Sequence, residues 1–253
     1  MLPMTSVKLE SVMEIDIQAV AFDLDNTLWD VEPVIERAES ALLEWLQEHC
    51  PRIPERLTRE DMRAARAQLA VEEPHRAHDF TYVRIAALAR HARECGYDES
   101  IAERAFEIFF AARNRVVLYP DVLPSLERLR ARFRLASLSN GNADLGLIGI
   151  AGLFEVSLSA RAVGVPKPHP RAFEALARGL GVPKGRILFV GDDPDLDVHA
   201  PRAVGMKAAW INRRDMPWPE RLAPPDIVVR DCAELVASLD APAGGGRRPS
   251  RRQ

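Results

Sequence analysis

Two carboxylates one residue apart close an apolar run in the stretch AFDLDNTLWD, residues 21–30. The run leading to them contains Ile15, Ile17, Ala19, Val20, Ala21 and Phe22, the composition of a parallel strand covered on both faces. Residues i and i+2 of a strand point the same way, so Asp23 and Asp25 can face one pocket. Like charges held that close repel, and burying either without a partner is costly. A cation or a proton must belong to the pair.

Other polar residues stand where further strands are expected to end. Ser139 and Asn140 follow FRLASL, and Asp192, Asp193 and Asp197 follow RILFV. Lys167 lies in GVPKPHP, a loop stiffened by three prolines ahead of a helix. Three or more acids around one pocket suit a hard cation, and Mg²⁺ typically takes one or two carboxylates and keeps several waters. Lys167 and the hydroxyl of Ser139, with Asn140 beside it, supply donors for a phosphate together with backbone amides at the strand ends. An aspartate can attack phosphorus to give an aspartyl phosphate. A second carboxyl can protonate the leaving oxygen and later take a proton from water. On this reading one acid of the pair attacks and the other shuttles the proton, while the cation and Lys167 offset the charge.

The elements that must position these groups follow from periodicity. VIERAESALLEWLQEH places Val34, Ala38, Leu42, Trp45 and Leu46 near one helical face, and Pro51 and Pro54 close that helix. Further helices are expected around 58–71, 79–94 and 99–114, with no convincing strand before residue 116. From Tyr119 the pattern alternates. DVLPSLERLRAR, ADLGLIGIAGL and PRAFEALARGLG read as helices, and FRLASLS, FEVSLSA, RILFV, KAAWIN and DIVV as strands, before a final helix over 231–239. Such alternation predicts an α/β fold, a doubly wound parallel sheet with an all-helical insertion after its first strand. The expected division is a core of 17–30 and 117–240, a helical cap of 31–116, an N-terminal extension of 1–16 and a basic tail of 241–253. In such sheets ligands bind beyond the carboxyl ends of the strands, where the polar residues above collect.

Composition excludes several classes. Hydrophobic residues make up 47% and charged residues 28% of 253, an ordinary globular balance. The tail APAGGGRRPSRRQ carries four arginines and no acid, so the body before it sums to −7 (−3 minus 4). With almost nothing to bury, the tail is expected to be disordered and solvated rather than a nucleic-acid or membrane anchor. Cys50, Cys95 and Cys232 are odd in number and widely spaced, which favours neither zinc nor a disulfide framework. No apolar run approaches the about 20 residues of a membrane helix, and the opening MLPMTSVKLESVMEID lacks the build of a signal peptide. A cytoplasmic protein is the expectation.

The segments DLDNTL, LSNGN, VPKPHP and VGDDPDLDV together resemble the four motifs of the haloacid dehalogenase superfamily, over about residues 18–212. The insertion after the first motif is similar to the subfamily with an all-helical cap. EPHRAHDFTYVR and LSNGN resemble a branch of flavin-related phosphatases, acting on flavin mononucleotide and on 5-amino-6-(5-phosphoribitylamino)uracil. The resemblance implies Asp23 as nucleophile and Asp25 as general acid/base. It implies Mg²⁺ held by the side chains of Asp23 and Asp192 and by the Asp25 carbonyl, with Asp197 or Asp193 supporting the metal shell. Ser139 and Lys167 would hold the transferring phosphoryl group of a small phosphorylated metabolite. Pro201 and Val204 depart from the alanines such sequences carry, which raises a question of helix packing.

Rival readings remain. A haloacid dehalogenase of the same superfamily needs no metal and, by the resemblance, lacks the second acid of the first motif, whereas this chain has Asp25 and Asp192. A phosphomutase would differ in how its cap excludes water. A phospho-acceptor signalling domain also clusters acids, Ser or Thr and Lys on a parallel sheet, but has no use for an insertion as long as 31–116. A binding protein with a degenerate site is a further option. One of Asp193 and Asp197 can instead cap the helix beginning near Leu196. The six histidines show no metal spacing, and His78, Tyr82 and Arg84, beside Asp79, are the insertion's candidates for substrate contact.

Overall fold

The computed structural model describes residues 17–240, so the expected N-terminal extension and basic tail lie outside the described residues. Six strands form one sheet with every neighbouring pair parallel. They are β1 (Ala19–Phe22), β2 (Arg134–Ser139), β3 (Val156–Ser159), β4 (Ile187–Gly191), β5 (Lys207–Ile211) and β6 (Ile227–Val229), in the order β3-β2-β1-β4-β5-β6. The first strand is therefore central, between β2 and β4. Chain order reverses there, which opens the crevice that doubly wound sheets use for ligands.

Alternation along the central strands explains why both faces are covered. Val20 and Phe22 of β1 join Leu188 and Val190 of β4 in one core, while Ala19 and Ala21 join Ile187 and Phe189 in the other. Burial of a side chain the size of Phe22 or Leu188 contributes about 1.5–3 kcal/mol. Phe173 meets Phe189 edge to face at 5.4 Å, so Phe189→Ala would leave a cavity costing about 3–5 kcal/mol.

The insertion after β1 makes five helices, α1 (Val31–His49), α2 (Arg52–Arg56), α3 (Arg59–Glu72), α4 (Phe80–Glu94) and α5 (Ile101–Arg113). They enclose a core of their own, with Ala38, Leu42, Leu46, Met62, Leu88 and Phe109. Asp30 caps α1 and Thr58 forms a capping box with Asp61 on α3. The prolines expected only to end the first helix do more. Pro51 and Pro54 sit at the N-cap and in the first turn of α2, where a missing N–H costs nothing.

The insertion leaves and rejoins the sheet at adjacent points. Trp29 bridges Leu118, and Tyr119 N donates to Leu28 O at 3.0 Å. Helix α6 (Val122–Arg130) follows, packing Val122, Leu126 and Leu129 on the Val20 face. The expected single helix after β2 is two pieces, α7 (Leu145–Ile148) and a 3₁₀ turn at Ala151–Leu153, because Gly149 adopts φ +89° and ends the first. Helix α8 (Ala160–Val163) precedes α9 (Pro170–Leu180), which packs on the opposite face with Phe173, Leu176 and Leu180.

The helix expected from Leu196 is not continuous. Residues Pro194–His199 form a wide π turn, and α10 (Ala200–Ala203) is wound after it, with Pro201 in its first turn. A proline donates no N–H to the preceding turn, so Pro201 stands where the winding changes. That is the structural counterpart of its departure from the family pattern. Helix α11 (Cys232–Asp240) closes the fold with Leu235 and Val236 on the Val20 face.

Candidate active site

The sheet ladder carries Asp23 to its place, because Asp23 N still donates to Val190 O at 2.8 Å beyond the last residue of β1. The chain then turns sharply. Asn26 takes φ +62°, a left-handed conformation that asparagine tolerates, and its Oδ1 accepts from Val31 N at 3.2 Å. Thr27 is buried in the same turn and its Oγ1 donates to Asp192 Oδ1 at 3.4 Å.

Asp23, Asp192 and Asp197 bring one carboxylate oxygen each to within 4.8 Å of one another. Lys167 answers part of their charge. Its Nζ donates to Asp23 Oδ1 and to Asp197 Oδ1, both at 2.6 Å, and the ammonium is buried. An ammonium has three N–H donors. With two engaged, one remains for a ligand. Removing Lys167 would leave buried carboxylates unpaired, a cost of about 3–5 kcal/mol.

The loop after β2 meets the cluster from the other side. Ser139 Oγ accepts from Gly141 N at 3.0 Å, which leaves its own O–H as a donor. Asn140, expected among the phosphate ligands, has its side-chain amide engaged with the backbone of Lys167. Its Nδ2 donates to Lys167 O at 2.9 Å and its Oδ1 accepts from Lys167 N at 2.7 Å. The position of the lysine follows from that double clasp.

The two candidate acids that follow Asp192, Asp193 and Asp197, separate cleanly. Asp193 is the N-cap of the π turn, accepting from Asp195 N and Leu196 N at 2.8 and 2.9 Å. Asp197 faces inward to Lys167, and its second oxygen accepts from Asp193 N at 3.1 Å. The π winding returns Asp197 beneath the end of β4, against Gly191. A β carbon on Gly191 would lie 2.4 Å from Asp197 Cγ, so only glycine fits there.

Asp25 is held apart from this cluster. Trp29 Nε1 donates to its Oδ1 at 2.8 Å, and Arg113 Nη2 donates to Oδ1 and Oδ2 at 2.7 and 2.8 Å. Arg113 comes from the last position of α5 and is 2% exposed. Nothing in AARNR sets it apart from Arg104 of the same helix, which pairs with Glu107 at the surface. Sequence reasoning missed it for that reason.

Electrostatics leave a deficit. Burial pushes Asp192 up to about 7, helped by the charge of Asp23. Burial also raises Asp23 and Asp197 against the pull of Lys167, and the two acids hold the lysine above its usual range against its own desolvation. Three carboxylates against one ammonium sum to −2, whereas Asp25 is matched by Arg113. A divalent cation with oxygen preference fits this donor set in charge and in ligand type.

The candidates in the insertion divide. Arg84 is buried inside it, 3.0 Å from Glu39 and 3.5 Å over the Phe109 ring, so its charge is spent within the helical core. Tyr82 donates to Glu73 Oε2 at 2.8 Å beneath the Arg76 guanidinium. His78 is half-buried in the loop before α4. Beside them, two neighbours add further contacts between insertion and core, Asp79 to Arg161 at 3.4 Å and Asn142 Nδ2 to Thr81 Oγ1 at 3.4 Å.

The model of the haloacid dehalogenase-like hydrolases matches residues 17–205, a span that contains the whole cluster. The chain belongs to that family. Among its relatives as a haloacid dehalogenase-like hydrolase is the 5-amino-6-(5-phospho-D-ribitylamino)uracil phosphatase YigB of Escherichia coli, 33% identical over 82% of this chain and 90% of that protein. Haloacetate dehalogenase H-2 of a Moraxella species is 30% identical over 84% of this chain and 93% of its own length. A solved 2-haloacid dehalogenase from Pseudomonas syringae pv. Tomato superposes on this hydrolase with TM-score 0.83 at 34% identity, covering 89% of this chain and all of that one. The phosphatase and dehalogenase names point to different reactions of one fold. No helix among the described residues is long and apolar enough to cross a membrane.

Proposed function

We propose that this hydrolase is a Mg²⁺-dependent phosphomonoesterase that works through an aspartyl phosphate on Asp23. The observation that carries this reading is the cluster of Asp23, Asp192 and Asp197 balanced by Lys167 alone. Displacement of halide from a haloacid needs one attacking carboxylate and cationic groups for an anionic substrate. The further acid Asp192, outside any ion pair of its own among the described residues, would repel that substrate. A phosphate ester with a bound dication turns the same charges to use.

Asp23 and Asp192 would hold Mg²⁺ through their side chains and Asp25 through its carbonyl, with Asp197 supporting that shell, and the ion would neutralise phosphoryl charge. The residues do the rest. Lys167 and Ser139 hold phosphoryl oxygens with the donors left to them. A carboxylate oxygen of Asp23 attacks phosphorus, the bond from phosphorus to the ester oxygen breaks, and Asp25 gives that oxygen its proton. Water then attacks the acyl phosphate, Asp25 takes a proton from it, and inorganic phosphate leaves with Asp23 restored. The helical insertion would act as the cap that selects the substrate and excludes water.

For the substrate, we propose a small phosphorylated metabolite of the riboflavin-pathway type, on the strength of the relative named for 5-amino-6-(5-phospho-D-ribitylamino)uracil. The test is a panel containing that compound, flavin mononucleotide, other sugar phosphates, haloacetate and 2-haloacids, each with Mg²⁺ and with excess chelator. Phosphate release that chelation abolishes is expected. Halide release that persists in chelator, without phosphate release, would establish the dehalogenase reading instead.

A further inference from the structure

Arg113 sits where the insertion runs back to the sheet, at the last position of α5. Burying a guanidinium costs several kcal/mol unless it is well paired. This one has Asp25 as its carboxylate partner, and its Nη1 is buried with no hydrogen-bond partner. Such a residue is a poor way to stabilise a fold, which points to a demand made by Asp25 itself.

The surroundings show what that demand is. A β carbon on Gly141 would lie 2.8 Å from Asp25 Oδ2, 3.3 Å from Ser139 Oγ and 3.4 Å from Arg113 Nη2. Asp25, Arg113 and the hydroxyl offered to phosphate therefore border one small gap, kept open by a glycine. Trp29 fixes one oxygen of Asp25 from its own loop, and Arg113 fixes both from the insertion. The next residue extends the link. Asn114 Oδ1 accepts from Asp144 N at 2.7 Å, so the same turn also anchors the segment following Gly141.

We propose that Arg113 is a positioning residue for Asp25. It holds the carboxylate in the orientation from which protons pass to the leaving oxygen and from water, and it ties that orientation to the seating of the insertion on the core. The inference rests on the phosphatase reading. It names a residue that the four motifs do not contain.

The experiment compares an alkyl phosphate with 4-nitrophenyl phosphate, whose leaving group needs little protonation, in the full-length Mg²⁺-loaded protein. A misplaced group costs on the order of 10²-fold in rate. Arg113→Met is expected to lower kcat for the alkyl ester about 100-fold, with KM within about threefold. With the aryl ester it should give a burst of one nitrophenol per enzyme followed by slow turnover, since the aspartyl phosphate forms and then waits for water. Arg113→Lys keeps a cation but not the planar guanidinium nitrogen that touches both oxygens, so it should fall between, and it carries the test if the Met variant does not fold. Asn114→Ala loosens the same turn without touching Asp25 and should slow both esters equally, with no burst. Wild-type alkyl-ester kcat in the Lys and Met variants, a loss confined to KM, or equal loss on both esters without a burst overturns the proposal. Absence of phosphate release from either ester by the unsubstituted protein overturns the phosphatase reading and this one together.

Discussion

The side chain of Asn140 forms two hydrogen bonds with the main chain of Lys167, one to its carbonyl at 2.9 Å and one from its amide at 2.7 Å. An amide alone among side chains of this size donates and accepts in that fashion. Asn140→Ala is expected to let Lys167 drift from Asp23 and Asp197, lowering kcat/KM about 10–100-fold and stability by about 1–3 kcal/mol for two lost bonds. Asn140→Asp keeps the acceptor but not the donor and should recover only part of the rate. Denaturant melts and steady-state kinetics of both variants decide it; full activity in Asn140→Ala would mean that the proline-rich loop alone holds the lysine.

The two acids of the β1 loop should fail differently. Asp23→Asn should give no phosphoenzyme with any ester. Asp25→Asn should still be phosphorylated by an aryl phosphate and then stall, because general acid/base help is typically about 10²–10⁴-fold. A rapid-quench experiment should trap an acid-stable, base-labile acyl phosphate on Asp23. Label on Asp25 would reverse the assignment, and unimpaired aryl-ester turnover would remove Asp25 as the proton shuttle.

Metal and proton should compete at Asp192. Its carboxyl is raised by burial and by Asp23 from 3.8 to about 7. Without metal, the folded state therefore keeps a proton that the unfolded chain has lost over that interval, so this group's contribution to stability is full below about pH 4 and disappears as pH rises through about 7. On the proposed function, Mg²⁺ would replace that proton. The rise in Tm on adding Mg²⁺ should be larger at about pH 8 than at about pH 6, and Asp192→Asn should flatten that difference. Equal Mg²⁺ shifts at both pH values in the unsubstituted protein would refute the coupling.

Arg84 should matter for the insertion's stability and not for substrate choice. Its guanidinium lies between Glu39 and Phe109, and Glu39 also accepts from Arg66 at 3.1 Å. Breaking a buried pair typically costs about 3–5 kcal/mol. Arg84→Met should lower the unfolding free energy by an amount of that order, with the ratio of kcat/KM between the preferred metabolite and a small phosphate ester unchanged. A change in that ratio would return Arg84 to the substrate site.

What the sequence made legible was whatever a strand end or a helix period announces. Asp23, Asp192 and Lys167 were readable because each follows a strand or occupies a stiffened loop, and the parallel sheet places such positions together. Four helices of the insertion were readable from apolar spacing, with ends within about three residues, while the short α2 was not foreseen because its prolines signal only the close of α1. Arg113 was not, since a buried arginine on an amphipathic helix differs from an exposed one only through its tertiary neighbours. Asn140 was legible as a residue at a strand end and was expected to hold phosphate, but its clasp on Lys167 was not, since that partner is a backbone 27 residues away. The winding of 194–199 escaped because Pro201 signals a change of helix without saying which kind, and the role of Gly149 as a helix end depends on a positive φ that composition alone does not show.

The adjacency of the insertion's two crossings, with Trp29 beside Leu118 and Leu28 bonded to Tyr119, has an evolutionary corollary. A segment that departs and returns through neighbouring backbone spans almost no distance, so its length and helix count can vary without moving a strand. If the insertion selects the substrate as proposed, substrate range diverges by replacement of one contiguous stretch of gene while the carboxylates and lysine stay as they are. Arg113 and Asn114 lie just inside the return, so a graft that cut ahead of them would inherit the host's own tether to Asp25, and one that cut behind them would have to supply a new one.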